Sequence, residues 1–161
     1  MNRRLMISLV AGLFGAGLAL LAGGGISQAE QSDEDKIKAV IESYHAAISA
    51  LDIAKMDGLW AHDDTVMSIQ PRDKAVSIGW DAVRKAWEAT FAFWSELKVT
   101  QSDGPHIHID GSVAWTDGMA TVKGKSKAGD QIDAPTFESD VLEKRGDAWL
   151  LVSHNAWRVA K

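Results

Sequence analysis

The sequence predicts an α+β fold in which three N-terminal helices pack in a strongly curved antiparallel sheet that wraps them as a cone. Three observations carry that expectation. Apolar residues recur at helical spacing as far as Trp94, the period then changes to that of strands, and the later segments are joined by short turns. Helices gathered before a run of strands lie on one face of a sheet, and short connections make neighbouring strands antiparallel. Long strands that twist strongly curl round whatever they cover.

The chain opens Met1-Asn2-Arg3-Arg4, runs apolar from Leu5 to Ala22, and passes through small and polar residues to Ser27-Gln28-Ala29. That order is expected of an export signal cleaved after residue 29. Residues 30–161 are then expected to form a single domain, periplasmic or secreted, with no stable membrane insertion after cleavage. There is no cysteine, so the core must stabilise the fold without disulfides. The formal charge is −5 and no basic stripe is visible, so nucleic acid is not expected as a partner.

Ser32-Asp33-Glu34-Asp35 reads as a capped helix start, with acids at the positive end of the dipole. Ile37, Val40, Ile41, Tyr44, Ile48 and Leu51 form the stripe that follows; His45 lies off it and is expected in solvent. Tyr44 is inside the stripe, where a buried phenol needs a partner. Asp52 starts a short second helix with Ile53, Met56 and Trp60 inward. Asp63-Asp64 is expected to cap and turn the chain rather than act as a carboxylate pair. A brief strand at Thr65 to Ile69, a turn at Pro71-Arg72-Asp73-Lys74 and an extended piece at Val76 to Ile78 precede the third helix.

That helix holds the most informative stretch. From Gly79, a permissive N-cap, Trp80, Val83, Trp87, Phe91 and Trp94 succeed one another at steps of three or four, making one face almost wholly aromatic. Rings of this size either fill a core or wall a cavity against the sheet. Strands are expected at about 97–109, 112–123, 131–144 and 148–159, turning at Asp110-Gly111, across Gly124 to Asp130, and at Arg145-Gly146-Asp147. In the last strand, alternation puts Trp149, Leu151, Ser153, Asn155 and Trp157 on one face and Leu150, Val152, His154 and Ala156 on the other. Both faces are largely apolar, so one is expected on the helices and the other on a second copy, as a homodimer. A one-residue register decides whether His154 or Asn155 points inward.

Leu51-Asp52, Leu59-Trp60-Ala61, Asp63-Asp64, Pro71, Gly79-Trp80-Asp81-Ala82-Val83-Arg84, Ser139-Asp140-Val141 and Trp149 stand in an order and spacing that resembles the nuclear transport factor 2 like superfamily, in its SnoaL-like and ketosteroid-isomerase-like branch. The resemblance spans about Ile37 to Trp157. It implies helices in the concavity of a curved sheet, a cavity open at one end, and a dimer. It also implies that Tyr44 and Asp140 occupy the two positions that steady an enolate oxygen in the isomerase branch. At the position of that branch's base the chain has Ile69 and Gln70 before Pro71, and neither can take a proton.

Two functional readings follow. In one, Tyr44, Trp60, Trp87, Phe91, Trp94, Asn155 and Trp157 wall a cavity that binds a small apolar or aromatic molecule without chemistry. In the other the protein is a lyase or isomerase, with Asp140 or His154 moving a proton and Tyr44 steadying an oxygen. Tyr44 and Asp140 are expected to lie within a hydrogen bond or one bridging water of each other, although alternation equally allows Phe137, Ser139 and Val141 to point inward instead. His106 and His108 alternate on one strand and could clasp a metal with His154, but Ile107 and Ile109 look like the inward residues there. No metal and no cofactor is expected.

Overall fold

The computed structural model describes residues 31–160; the export signal expected over residues 1–29 lies outside the described residues. Helix α1 runs Asp33–Ala50, and its Ser32 cap accepts a hydrogen bond from the Asp35 backbone N–H. It ends where Leu51 turns into the left-handed region at φ 54°. Asp52 caps the five-residue helix α2, Ile53–Asp57, by accepting from the Lys55 N–H. Helix α3, Trp80–Phe93, starts behind Gly79 at φ 83° with no side-chain cap, a backbone angle that glycine adopts without strain. Its expected face is inward: Val83, Trp87 and Phe91 are buried, each burial stabilising by roughly 1.5–3 kcal/mol. Arg84, on the other side, pairs with both Glu88 and Asp57.

Six strands form one sheet: β1 Met67–Ile69, β2 Ser77–Ile78, β3 Trp94–Asp110, β4 Val113–Ser126, β5 Gln131–Arg145 and β6 Ala148–Arg158, in spatial order β2-β1-β6-β5-β4-β3. The α+β architecture is as expected. Two details differ. The sheet is not wholly antiparallel, because β1 runs parallel to β6; parallel neighbours need a long crossover, and here α3 and the whole meander β3–β5 lie between them. The first tight turn falls one residue later than expected, at Gly111-Ser112, while Gly146-Asp147 lies within the expected last turn; Gly111 and Gly146 are the residues at positive φ.

Helix α1 packs against both β6 and β3, which are separated by two strands. A flat sheet would hold those strands about 14 Å apart, more than one helix covers, so the sheet bends round α1. The concave side holds the core, with Ile37, Ile41 and Ile48 of α1 facing Ala114, Leu142 and Leu151 of the strands. Gly124 belongs to the same design. A Cβ there would meet Cζ3 of Trp94 at 2.8 Å, so the glycine is what lets that indole lie flat across the sheet.

Strand β6 does not alternate simply. Val141 pairs with Ser153, but the next residue, Leu142, pairs with Leu151, which leaves Val152 as the extra residue of a β-bulge. Trp149 and Leu151 are therefore buried before the bulge, and His154 and Ala156 after it.

Candidate functional site

Strand β5 carries no such irregularity, and its alternation turns Thr136, Glu138, Asp140 and Leu142 into the concavity, with Phe137, Ser139 and Val141 on the less buried outer side. Asp140 stands directly opposite His154 on β6 and Thr116 on β4. Its Oδ1 lies 2.8 Å from His154 Nδ1, and its Oδ2 accepts a longer bond from Thr116 Oγ1 at 3.4 Å. Asp140 and His154 are each 2% exposed. A carboxylate bonded to one ring nitrogen fixes both ring orientation and tautomer. Here it holds the proton on Nδ1 and leaves Nε2 for the cavity that His154 lines. Burial pushes the imidazole pKa down, but the bond to Asp140, its charge and those of Glu138 and Asp73 outweigh burial, so the ring titrates above the ordinary 6.5.

Tyr44 of α1 stands edge-on to His154, ring centroids 5.0 Å apart, and edge-on to Trp87 at 5.6 Å. Its hydroxyl has no protein partner, nor have the indole N–H groups of Trp87 and Trp60, the Ser68 hydroxyl or the Gln70 side-chain amide nitrogen. Each such group costs about 1–3 kcal/mol when buried alone; of the five, Trp87 and Gln70 line the cavity, where a polar group of a ligand can satisfy them. Burial first, then the charges of Asp140 and Glu138, hold the Tyr44 phenol well above its ordinary 10.0. Tyr44 is therefore a neutral donor.

A second pair lies two residues along β5. Glu138 Oε2 is 2.7 Å from His45 Nε2, with both residues buried. The order of the two partners is reversed: at one station the histidine meets the cavity with its carboxylate behind, and at the other Glu138 lines the cavity with its histidine behind. The cavity itself occupies about 650 Å³, counting its open end, between α3 and the concave sheet. Trp87, Trp94, Leu97, Val99 and Ile132 supply apolar walls, and Gln70, Thr90 and Thr136 supply polar points. Gln70 accepts from Thr90 Oγ1 at 2.7 Å.

Several sequence expectations are corrected here. Tyr44 and Asp140 are both inward but make no direct hydrogen bond, because His154 and Thr116 take the carboxylate oxygens. Asn155 and Trp157 are not in the cavity: beyond the bulge they face outward, Asn155 bonded to Ser153 and Trp157 half exposed and stacked on Phe137. Trp87 and Trp94 line the cavity as expected, whereas Tyr44, Trp60 and Phe91 are buried behind it, Tyr44 against Trp87 and His154, Trp60 against Tyr44 and Phe91 against Trp87. His45 is buried, not solvated. Its spacing of four from Ile41 and eight from Ile37 was the overlooked signal. Glu138 was missed as well, and its separation of two from Asp140 was the clue available. His106 and His108 are exposed on β3, away from the buried His154, so the three do not meet.

The SnoaL-like domain family matches residues 37–156, most of the chain and all of the site. The chain belongs to the SnoaL-like family. No curated protein matches it in sequence. Among solved structures, this SnoaL-like chain is similar to a nuclear transport factor 2 like superfamily protein of Salmonella enterica, with TM-score 0.72, 21% identity, and coverage of 78% of this chain and 89% of that one. It is similar to a ketosteroid isomerase-like protein of Erwinia carotovora atroseptica at TM-score 0.67 and 16% identity, covering 78% and 95%. A hexachlorocyclohexane dehydrochlorinase of Novosphingobium barchaimii superposes at TM-score 0.68 with 9% identity, covering 79% and 86%. Identities this low speak to fold alone: the SnoaL-like chain shares the curved, unclosed six-strand cone with helices in its hollow.

Proposed function

We propose that the protein is a lyase or isomerase that draws a proton from carbon in a small, largely apolar molecule. The observation that carries this reading is the buried Asp140–His154 pair, bonded through Nδ1, with the histidine facing the cavity. A C–H bond of the substrate breaks, Nε2 of His154 takes the proton, and the electron pair passes to an adjoining carbonyl oxygen or expels a group from the next carbon. Tyr44, a neutral donor packed behind His154 at a ring distance of 5.0 Å, reaches the oxygen on which charge develops only when the substrate seats against that ring. The proton that His154 takes is returned by His154 elsewhere on the substrate or lost to water at the cavity's open end; Glu138, bonded to His45, lines the same cavity. The ketosteroid isomerase-like and dehydrochlorinase neighbours are consistent with such chemistry.

One observation favours binding without chemistry: Gln70, which cannot take a proton, stands where the isomerase branch has its base. The two readings part in D2O. Incubation with a panel of small cyclic ketones and phenyl-substituted ketones is expected to place deuterium beside the carbonyl of at least one, and His154→Ala to abolish it. Compounds that bind and shift the His154 resonances yet exchange no faster than in buffer would leave a binding module.

We further infer that the domain is exported, on the strength of the basic, apolar and small-residue order of residues 1–29. Intact-mass measurement of the protein recovered from outside the cytoplasm tests it: a chain beginning at Glu30 supports the inference, and one retaining Met1 contradicts it.

A further inference from the structure

Four arginines fall among the described residues. Arg84 holds Asp57 and Glu88, and Arg145 holds Asp63 and Glu143. Arg72 and Arg158 pair with no carboxylate among the described residues, and these two are the ones that line the cavity. Both are exposed while lining it, so they stand at its open end. Arg72 lies over the Phe93 ring, 3.1 Å from its centroid, with the Trp94 ring 5.9 Å away. Stacking on aromatic faces fixes the guanidinium plane while leaving its N–H edge open. Its neighbour Asp73 accepts from the Gln70 backbone N–H. Among the described residues Glu138 is the single carboxylate lining the cavity, and it is held by His45. In a chain whose formal charge is −5, the rim of this one cavity is thus cationic.

We propose that Arg72 and Arg158 form an anion subsite, and that the substrate is a small apolar or aromatic carboxylic acid. Its carboxylate sits between the two guanidinium groups at the open end, its body lies against Trp94, Leu97 and Val99, and its far end reaches His154. The inference rests on the reading of this cavity as the substrate site. Planar guanidinium forks suit carboxylates bidentately, and a cationic rim on an acidic protein raises the local concentration of such anions.

The test uses two probes of one shape, trans-cinnamate and trans-cinnamamide, titrated into the purified protein while the indole N–H signals of Trp87 and Trp94 are followed by NMR. The acid is expected to bind about tenfold or more tightly than the amide, with a preference that weakens as salt is added. Arg72→Gln with Arg158→Gln is expected to remove that preference, bringing the acid's affinity to that of the amide. Lys85→Gln with Lys98→Gln, which removes the same charge elsewhere, is expected to preserve it. Equal binding of acid and amide, binding of neither, or a preference that survives the paired arginine change each overturns the proposal. Arginine-dependent binding of cinnamate with no deuterium exchange on any ketone or phenyl-substituted keto acid would uphold the anion subsite while removing the proton-transfer reading.

Discussion

Leu151 and His154 lie three residues apart on one strand and point the same way. Strict alternation would put them on opposite faces; the bulge at Val152 returns the chain to phase, so that Leu151 is buried in the core and the histidine still reaches Asp140. Deleting Val152 restores regular pairing and forces one of the two out of the concavity. We expect that deletion to destabilise the fold by roughly 2–5 kcal/mol, the range for losing a buried leucine. Urea denaturation measures it, and an unchanged midpoint would show that the bulge places nothing.

Asp140 sets the basicity of His154. The folded-state pKa of His154 is raised above 6.5, so its stabilising contribution is complete below the unfolded value and is lost as pH rises through the folded one. The urea midpoint is expected to fall over that window in the wild type. In Asp140→Asn, burial acts with less opposition, the His154 pKa drops, and this fall disappears. A midpoint that declines equally in both proteins would separate Asp140 from the titration.

Glu138→Ala leaves His45 buried without its partner, and removing one member of a buried pair costs about 3–5 kcal/mol. Were His45 the surface residue that helical periodicity suggested, the loss would stay within about 0.5 kcal/mol. Thermal or urea unfolding of Glu138→Ala distinguishes the two outcomes.

The outer face of the sheet exposes Trp115 at 41% and Trp157 at 51%, with His108 and Phe137 stacked on them. So large an aromatic patch on one face is unusual for a surface left in water, and we expect a homodimer there. Light scattering is expected to give about twice the chain mass, and Trp115→Glu with Trp157→Glu to give a monomer. A wild-type monomer at high concentration would refute the dimer.

The sequence made the helices legible because their signals are local. The Ser32 and Asp52 caps, the Gly79 start and the Val83, Trp87, Phe91 face all follow from spacing and capping chemistry. It left the site half-read because the deciding signals are not local. On β5, Phe137 and Val141 are as apolar as an inward set would be, so composition could not choose them or Glu138 and Asp140; the aromatic outer face removes the usual contrast. On β6 the bulge falls at Val152, with no glycine or proline to mark it, and every residue beyond it changes side. Alternation without the bulge therefore puts Asn155 and Trp157 on the side of Leu151. The parallel seating of β1 beside β6 joins segments more than 80 residues apart, as the pairing of Ser68 with His154 shows, and no local pattern encodes it.

The proposed proton transfer turns on the state of one ring. Nitrogen-15 NMR of His154 across about pH 5 to 9, the range in which an imidazole changes charge, reports both its tautomer and its pKa. We predict a neutral form protonated on Nδ1, with Nε2 free, and a midpoint above 6.5 that falls in Asp140→Asn. A neutral ring protonated on Nε2, or a midpoint at or below 6.5 that ignores Asp140→Asn, would contradict the assignment of His154 as the base.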